Sequence, residues 1–269
     1  MELSTDISEN IALVVHVEGD GQNLNSTTGI AKGRRYAHEA VRLFGSWREN
    51  CGWLKDIHIV AFCSTKNGVG EWAEDEFRKL GVDYIHDYRS ETDGFSSGFL
   101  MIPFTGWYFE NVKRLDENII VKVDLDNVVL KEFPVEWFRG LDRTTRVGQY
   151  SDYIKDGRHL FKTEPFDTSL IISDRDSGFY TKYYELCFSS ALLNSEEWKR
   201  TKEATGEYWL EEFVVDWMYD KRLMDITPVK DYQYGPGYRN IEWFVKNRRL
   251  DNLVMFHHHI GNFEVEDGD

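Results

Sequence analysis

The sequence is short of several things that mark other kinds of protein. Proline occurs only five times in 269 residues. No low-complexity linker and no internal repeat interrupts the chain, so nothing marks a domain boundary and one domain is expected over residues 1–269. Cysteine occurs three times, at Cys51, Cys63 and Cys187. The odd number and the lack of a Cys-x-x-Cys spacing predict buried free thiols in a reducing compartment. Basic residues number 32 against 47 acidic ones, a formal net charge of −15. Such a surface repels a phosphate backbone, and nucleic acid is not an expected partner. No run approaches the roughly 20 apolar residues that cross a bilayer. The polar start MELSTDISEN also lacks the basic and apolar regions of a secretory signal. These absences predict a cytoplasmic protein with no membrane span.

What is present is enough apolar material for one sizeable core, with 41% hydrophobic and 15% aromatic residues. The apolar run from Ile11 to Val17 ends in the turn-forming GDGQN and reads as a buried first strand opening onto a loop. Tyr36, Ala40, Leu43, Phe44 and Trp47 recur at helical spacing within Lys32 to Glu49. A strand follows at Ile57 to Phe62, a helix at Glu71 to Leu80, and a strand at GVDYIH. Helical character over Gly98 to Val112 precedes the strand NIIVKV, Asn118 to Val123. This alternation predicts an α/β fold with a mostly parallel central sheet flanked by helices. The second half is mixed, with a short helix at Val135 to Phe138 and strands at Arg146 to Tyr150 and Ser169 to Ser173. Helices are expected at Gly178 to Ser189 and Glu207 to Tyr219.

The most informative segment is NIIVKVDLDNVVL, where an apolar strand runs into Asp124-Leu125-Asp126. Two carboxylates at a strand end can converge on one hard cation, and in open α/β sheets ligands gather at the carboxyl ends of the strands. The plainer alternative is a turn and a helix cap. Close to the other strand ends, His16, Val17 and Glu18 are placed to meet a nucleobase and ribose, with Val17 also suited to the core. Asp87 and Arg89 follow the VDYIH strand as further nucleotide contacts.

At these residues the sequence resembles the GT-A glycosyltransferases, and more loosely the glycogenin and galactosyltransferase-like group within them. VVHVEGDGQNL is similar to the first strand and nucleotide-binding loop. IIVKVDLDNVVLKEF is similar to the metal-binding strand, with Asp124 and Asp126 at its two aspartates. PFDTSLIIS is similar to a Phe-Asn-x-Gly segment, with Asp167 at the Asn position. HHIG is similar to a C-terminal His-x-x-Gly, with His258 as the third metal ligand and Gly261 approaching the diphosphate. The resemblance implies a single GT-A domain, nucleotide-binding over about 11–130 and acceptor-binding over about 131–269. It also implies Mn²⁺ or Mg²⁺ held by Asp124, Asp126 and His258, a nucleotide-sugar donor with UDP favoured, and a carbohydrate acceptor. Leu125 would lie against the nucleotide. The sequence departs from the group at Ser169, where Gly is usual, and at Asn262, Phe263 and Glu264, where Lys-Pro-Trp is usual. Phosphate contacts would then fall to Lys230, Arg239, Lys246 or Arg248.

Glu211 and Glu212 enter a helix whose apolar side is Phe213, Val214 and Trp217. Either carboxylate suits deprotonation of an acceptor hydroxyl or orientation of the donor sugar, and either also suits a helix N-terminus, which favours anions. Asp167 and Asp216 are candidate sugar-hydroxyl contacts. Trp209, Tyr232, Tyr234 and Tyr238 are candidates for stacking on an acceptor. In the triplet His257-His258-His259, strand alternation puts His257 and His259 on one face and His258 on the other, and His258 is chosen by resemblance alone. Three rivals remain. One is a haloacid-dehalogenase-like phosphatase with Asp124 as nucleophile. Another is a nucleotidyltransferase, for which GDGQNLNSTTGIAKGRR is a faint phosphate loop. The third is a non-catalytic carbohydrate-binding protein of the same fold.

Overall fold

The computed structural model describes residues 8–17, 32–88, 112–149, 166–205, 210–234 and 253–257. Strand β1 (Ile11–His16) is buried along its length up to a half-buried His16, as a run of aliphatic residues in a central parallel strand should be. Helix α1 (Lys32–Asn50) returns the chain to β2 (His58–Cys63), and α2 (Glu71–Lys79) returns it to β3 (Val82–His86). Both β2 and β3 join parallel to what precedes them, in the order β3-β2-β1. The next strand, β4 (Ile119–Val123), pairs parallel with the other side of β1, Ile11 facing Ile119 and Val14 facing Lys122.

The sheet continues through β7 (Phe166–Asp174), β6 (Thr145–Gln149) and β8 (Ile226–Lys230), in the overall order β3-β2-β1-β4-β7-β6-β8. β7 is antiparallel to both its neighbours, and β6 and β8 are parallel to each other. The fold is therefore α/β with a seven-stranded, mostly parallel sheet. One face packs on α1 and α2 through Leu13, Leu43, Phe44, Trp47 and Phe77. The other packs on α3 (Phe179–Cys187), α4 (Ser190–Leu193), α5 (Glu196–Thr205) and α6 (Leu210–Asp220) through Val14, Ile171, Phe179, Val214 and Met218. A second, three-stranded mixed sheet sets β10 (Met255–His257) between β5 (Asn127–Val129), antiparallel to it, and β9 (Gln233–Tyr234), parallel to it.

The expected elements through the first half stand within a residue or so of their predicted places, and the expected Val135 to Phe138 helix is a 3-10 turn. Residues 98–111 of the expected helix before β4 lie outside the described residues. The strands β5, β8, β9 and β10 and the helix α5 were not expected from periodicity, because each strand is short or half-exposed and α5 is polar on most of its surface. The three cysteines are free and buried, as expected. Among the described residues no helix is long and apolar enough to cross a membrane.

One glycine is fixed by close packing. Gly148 faces Asp167 where the β6–β7 register shifts, and a Cβ there would stand 2.4 Å from the Tyr232 hydroxyl and 2.7 Å from the Asp167 carbonyl oxygen. Backbone cannot move aside cheaply, so we expect Gly148→Ala to cost about 1–3 kcal/mol. Urea unfolding of the wild type and the variant measures this.

Candidate functional site

The strand order reverses at β1. Its crossover runs to β2 on one side, while β4 arrives on the other, and open α/β sheets carry their ligand crevice beyond the carboxyl ends of the strands at such a point, here β1 and β4. His16 ends the first strand and Asp124 follows the second, so both stand at that crevice.

Asp124 begins a tight turn. The Asn127 backbone N–H and side-chain amide both donate to the Asp124 carbonyl, each at 3.2 Å. The turn alternative is thus realised, and the turn presents both carboxylates at the strand end. Immediately after it, β5 pairs with β10, with Asn127 opposite His257. That register brings His257 Nε2 to 2.9 Å from Asp126 Oδ2, donating to it. The side chains are 6% and 21% exposed, so the pair is largely shielded from water. Burial works against the His257 imidazolium. The bond and charge of Asp126, with Asp167 and Asp124 behind it, outweigh burial and raise the imidazole above its ordinary value. The histidine brought to the aspartates is therefore His257. His258 and Gly261 lie outside the described residues, as do Glu18 and Arg89.

Asp124 is held from a different direction. Lys122 Nζ donates to Asp124 Oδ1 and, at 2.6 Å, to the Thr168 carbonyl. Burial opposes the Lys122 ammonium, but Asp124, Glu211 and Glu212 outweigh it and the net shift is upward. His16 is held well below its ordinary value by burial and by the charge of Lys122, so it stands neutral. The sequence alone did not single out Lys122. A lysine inside the apolar run IIVKV was the available signal, because charge in a central strand is rare unless paired.

Glu211 and Glu212 occupy the first turn of α6, where the helix dipole favours anions. Thr168 Oγ1 lies 3.3 Å from Glu211 Oε2 and 3.5 Å from Glu212 Oε1. Among the described residues the buried atoms Glu211 Oε1 and Glu212 Oε2 have no hydrogen-bond partner. Burial, aided by Asp124 and opposed by Lys122 and Thr168, pushes the Glu211 carboxyl up to about 7. Burial and then Glu211 itself drive Glu212 well above the ordinary range. The helix start is thus a pair of carboxyls that resist ionising together.

Other expected residues stand elsewhere. Asp167 is 2% exposed and accepts from Tyr232, Gln233 and the Ser169 N–H; burial raises it, and its hydrogen bonds offset part of that rise. Tyr232, expected to stack on an acceptor, is instead 2% exposed in the core, bonded to Asp167 and to Ser169 Oγ. Asp216 is buried and accepts from the Phe166 N–H. The Val17 side chain is in the core and its N–H donates to the Phe62 carbonyl. Leu125 packs on the α1-side core. Asp87 follows the edge strand β3, its N–H on the Cys63 carbonyl. Trp209 and Tyr238, with Arg239, Lys246 and Arg248, lie outside the described residues.

Carboxylate oxygen and imidazole nitrogen are donors that Mn²⁺ takes readily, so the donor chemistry of Asp124, Asp126 and His257 fits such a cation. Among the described residues, however, no three His, Cys, Asp or Glu side chains are gathered to hold a metal. Asp124 faces Lys122, and Asp126 and His257 face each other.

The raised Glu211 carboxyl makes a prediction for stability. With a folded value of about 7 against an ordinary 4.5, folding favours the protonated form. That contribution is full below pH 4.5 and is lost as pH rises through 7. Glu211→Gln, neutral throughout, should match the wild type near pH 4.5 and exceed its stability by about 1–3 kcal/mol at pH 8. Urea unfolding across that range measures it, and a variant less stable than wild type at pH 8 contradicts it.

Compared with known proteins, the chain matches no protein-family model and no curated protein.

Proposed function

We propose that the chain is a metal-dependent glycosyltransferase of the GT-A type, which transfers a sugar from a nucleotide-sugar donor, UDP-linked by resemblance, to a carbohydrate hydroxyl. The observation that carries this reading is the turn after β4, which presents Asp124 and Asp126 at the sheet's switch point with His257 bonded to Asp126. Open α/β sheets bind nucleotides at that point. A diphosphate there would meet a surplus of carboxylates, so a divalent cation is the economical means of holding it.

In this reading Asp126 and His257, with Asp124, hold Mn²⁺ or Mg²⁺. When bound there, such a cation would supply positive charge against the donor diphosphate and the departing nucleotide. Glu211, with a carboxyl near 7 and an unpartnered buried oxygen, accepts the proton of the acceptor hydroxyl. Thr168 orients Glu211 through its hydroxyl. Neutral His16, beyond β1, lies against the nucleotide. Lys122 balances the charge of Asp124 and the two glutamates. Asp167 holds Tyr232, Gln233 and Ser169 behind the crevice.

The phosphatase rival needs Asp124 as a nucleophile. Such a phosphatase is expected to carry its nucleophile after the first strand, whereas Asp124 follows β4, which favours the transferase reading.

The experiment is thermal unfolding with UDP or GDP, each with Mn²⁺ and with chelator, on wild type and Asp126→Ala. We expect UDP with Mn²⁺ near 100-fold above its dissociation constant to raise the melting temperature by about 5–10 °C. The rise should vanish with chelator and in the variant. No stabilisation by either nucleotide contradicts the proposal, and turnover of a simple aryl phosphate would favour the phosphatase.

A further inference from the structure

A lysine in a central strand calls for an explanation. Lys122 sits among apolar neighbours in β4, faces Val14 across the β1 pairing, and is only 15% exposed at its side chain. A buried ion pair contributes little net stability relative to well-packed apolar residues, because desolvation offsets its attraction. The Lys122–Asp124 pair is therefore poorly explained as a device for stability. Its effect on the site is direct. It occupies one oxygen of the first of the two aspartates, while the lysine stays anchored independently by the Thr168 carbonyl at 2.6 Å. Glu211 and Glu212 supply further negative charge to the same ammonium.

We propose that Lys122 is a resident counter-cation of Asp124, which competes with the divalent cation for that carboxylate and so weakens and tunes cation binding at the site. The inference rests on the proposed function, since it presumes a cation at Asp124 and Asp126. A carboxylate can satisfy an ammonium or a divalent ion strongly, but a positive charge one hydrogen bond away repels the second cation. When the divalent ion binds, the Lys122 side chain has two places to stay. The Thr168 carbonyl retains it, and Glu211 Oε1 and Glu212 Oε2, without a hydrogen-bond partner among the described residues, are further acceptors whose charge the ammonium already feels. Lys122 is a positioning residue in this account, acting through Asp124 and the glutamates.

The test is calorimetric titration of Mn²⁺ into the protein at one fixed concentration of UDP, the same in every run, for wild type, Lys122→Met and Lys122→Arg. Removing the charge should tighten Mn²⁺ binding by about tenfold or more, and Lys122→Arg, which keeps it, should remain within about threefold of wild type. Melting curves give a readout without turnover: Lys122→Met should melt lower than wild type in chelator and gain more from Mn²⁺. If Lys122→Met does not fold, Lys122→Gln keeps a donor for the Thr168 carbonyl without the charge and should show the same tightening. Unchanged or weaker Mn²⁺ binding in the uncharged variants, with wild type binding normally, overturns this proposal and leaves the proposed function standing. No Mn²⁺–UDP binding in wild type or any variant overturns both.

Discussion

The parallel pairing of β4 with β1 is the constraint on which the site depends. Because β1 sends its own crossover toward β2, the arrival of β4 on the opposite side makes the carboxyl ends of β1 and β4 the sheet's switch point. The register then does the rest. Pairing Val14 with Lys122 sets His16 and Asp124 at neighbouring strand ends. The turn from Asp124 to Asn127 starts β5, and the pairing of β5 with β10 delivers His257 to Asp126. A one-residue slip would turn every side chain of β4 to the other face, sending Lys122 into the α1-side core and Val121 into the crevice.

The electrostatics follow from this crowding. Glu211 and Glu212 share this region with Lys122 and Asp124, and burial raises both glutamates more than Lys122 and the hydrogen bonds offset. The two clusters are divided by the sheet. Lys122, Thr168 and the glutamates stand on the α6 side. Asp167, Ser169, Tyr232 and Gln233 form a buried network on the α1 side, where Gly148 leaves room for the Tyr232 hydroxyl. Asp124 lies between them, its charge felt by the glutamates and by His257 alike. Burial of two adjacent carboxyls disfavours their ionised forms, and such perturbed groups mark candidate functional sites.

Much of the fold was legible because its strands are long, aliphatic and separated by amphipathic helices. IALVVH, HIVAFC and NIIVKV each declare themselves by composition. The short strands were not legible. β5 and β10 have three residues each, too few for any period, and only long-range pairing, β10 with both β5 and β9, shows them to be strands. The same limit governed the histidine: alternation could place His257 and His258 on opposite faces, but only the pairing of Asn127 with His257 shows that His257 reaches Asp126. Asp167, Asp216 and Tyr232 looked like site residues by type, yet burial and backbone bonds set them in the interior. Their roles depend on long-range contacts, which no local pattern carries. Lys122 is legible only as a charge inside an aliphatic run, because Thr168, which holds it, lies 46 residues away in the chain.

The central claim is that the crevice beyond β1 and β4 holds a divalent cation and a nucleotide through Asp126 and His257. Crystals grown with Mn²⁺ and UDP, measured at the manganese absorption edge, test this most directly. The account predicts an anomalous peak within bonding reach of Asp126 and His257, with the nucleotide beside His16. A peak at another surface, or ordered nucleotide with no manganese at the turn after β4, would contradict it.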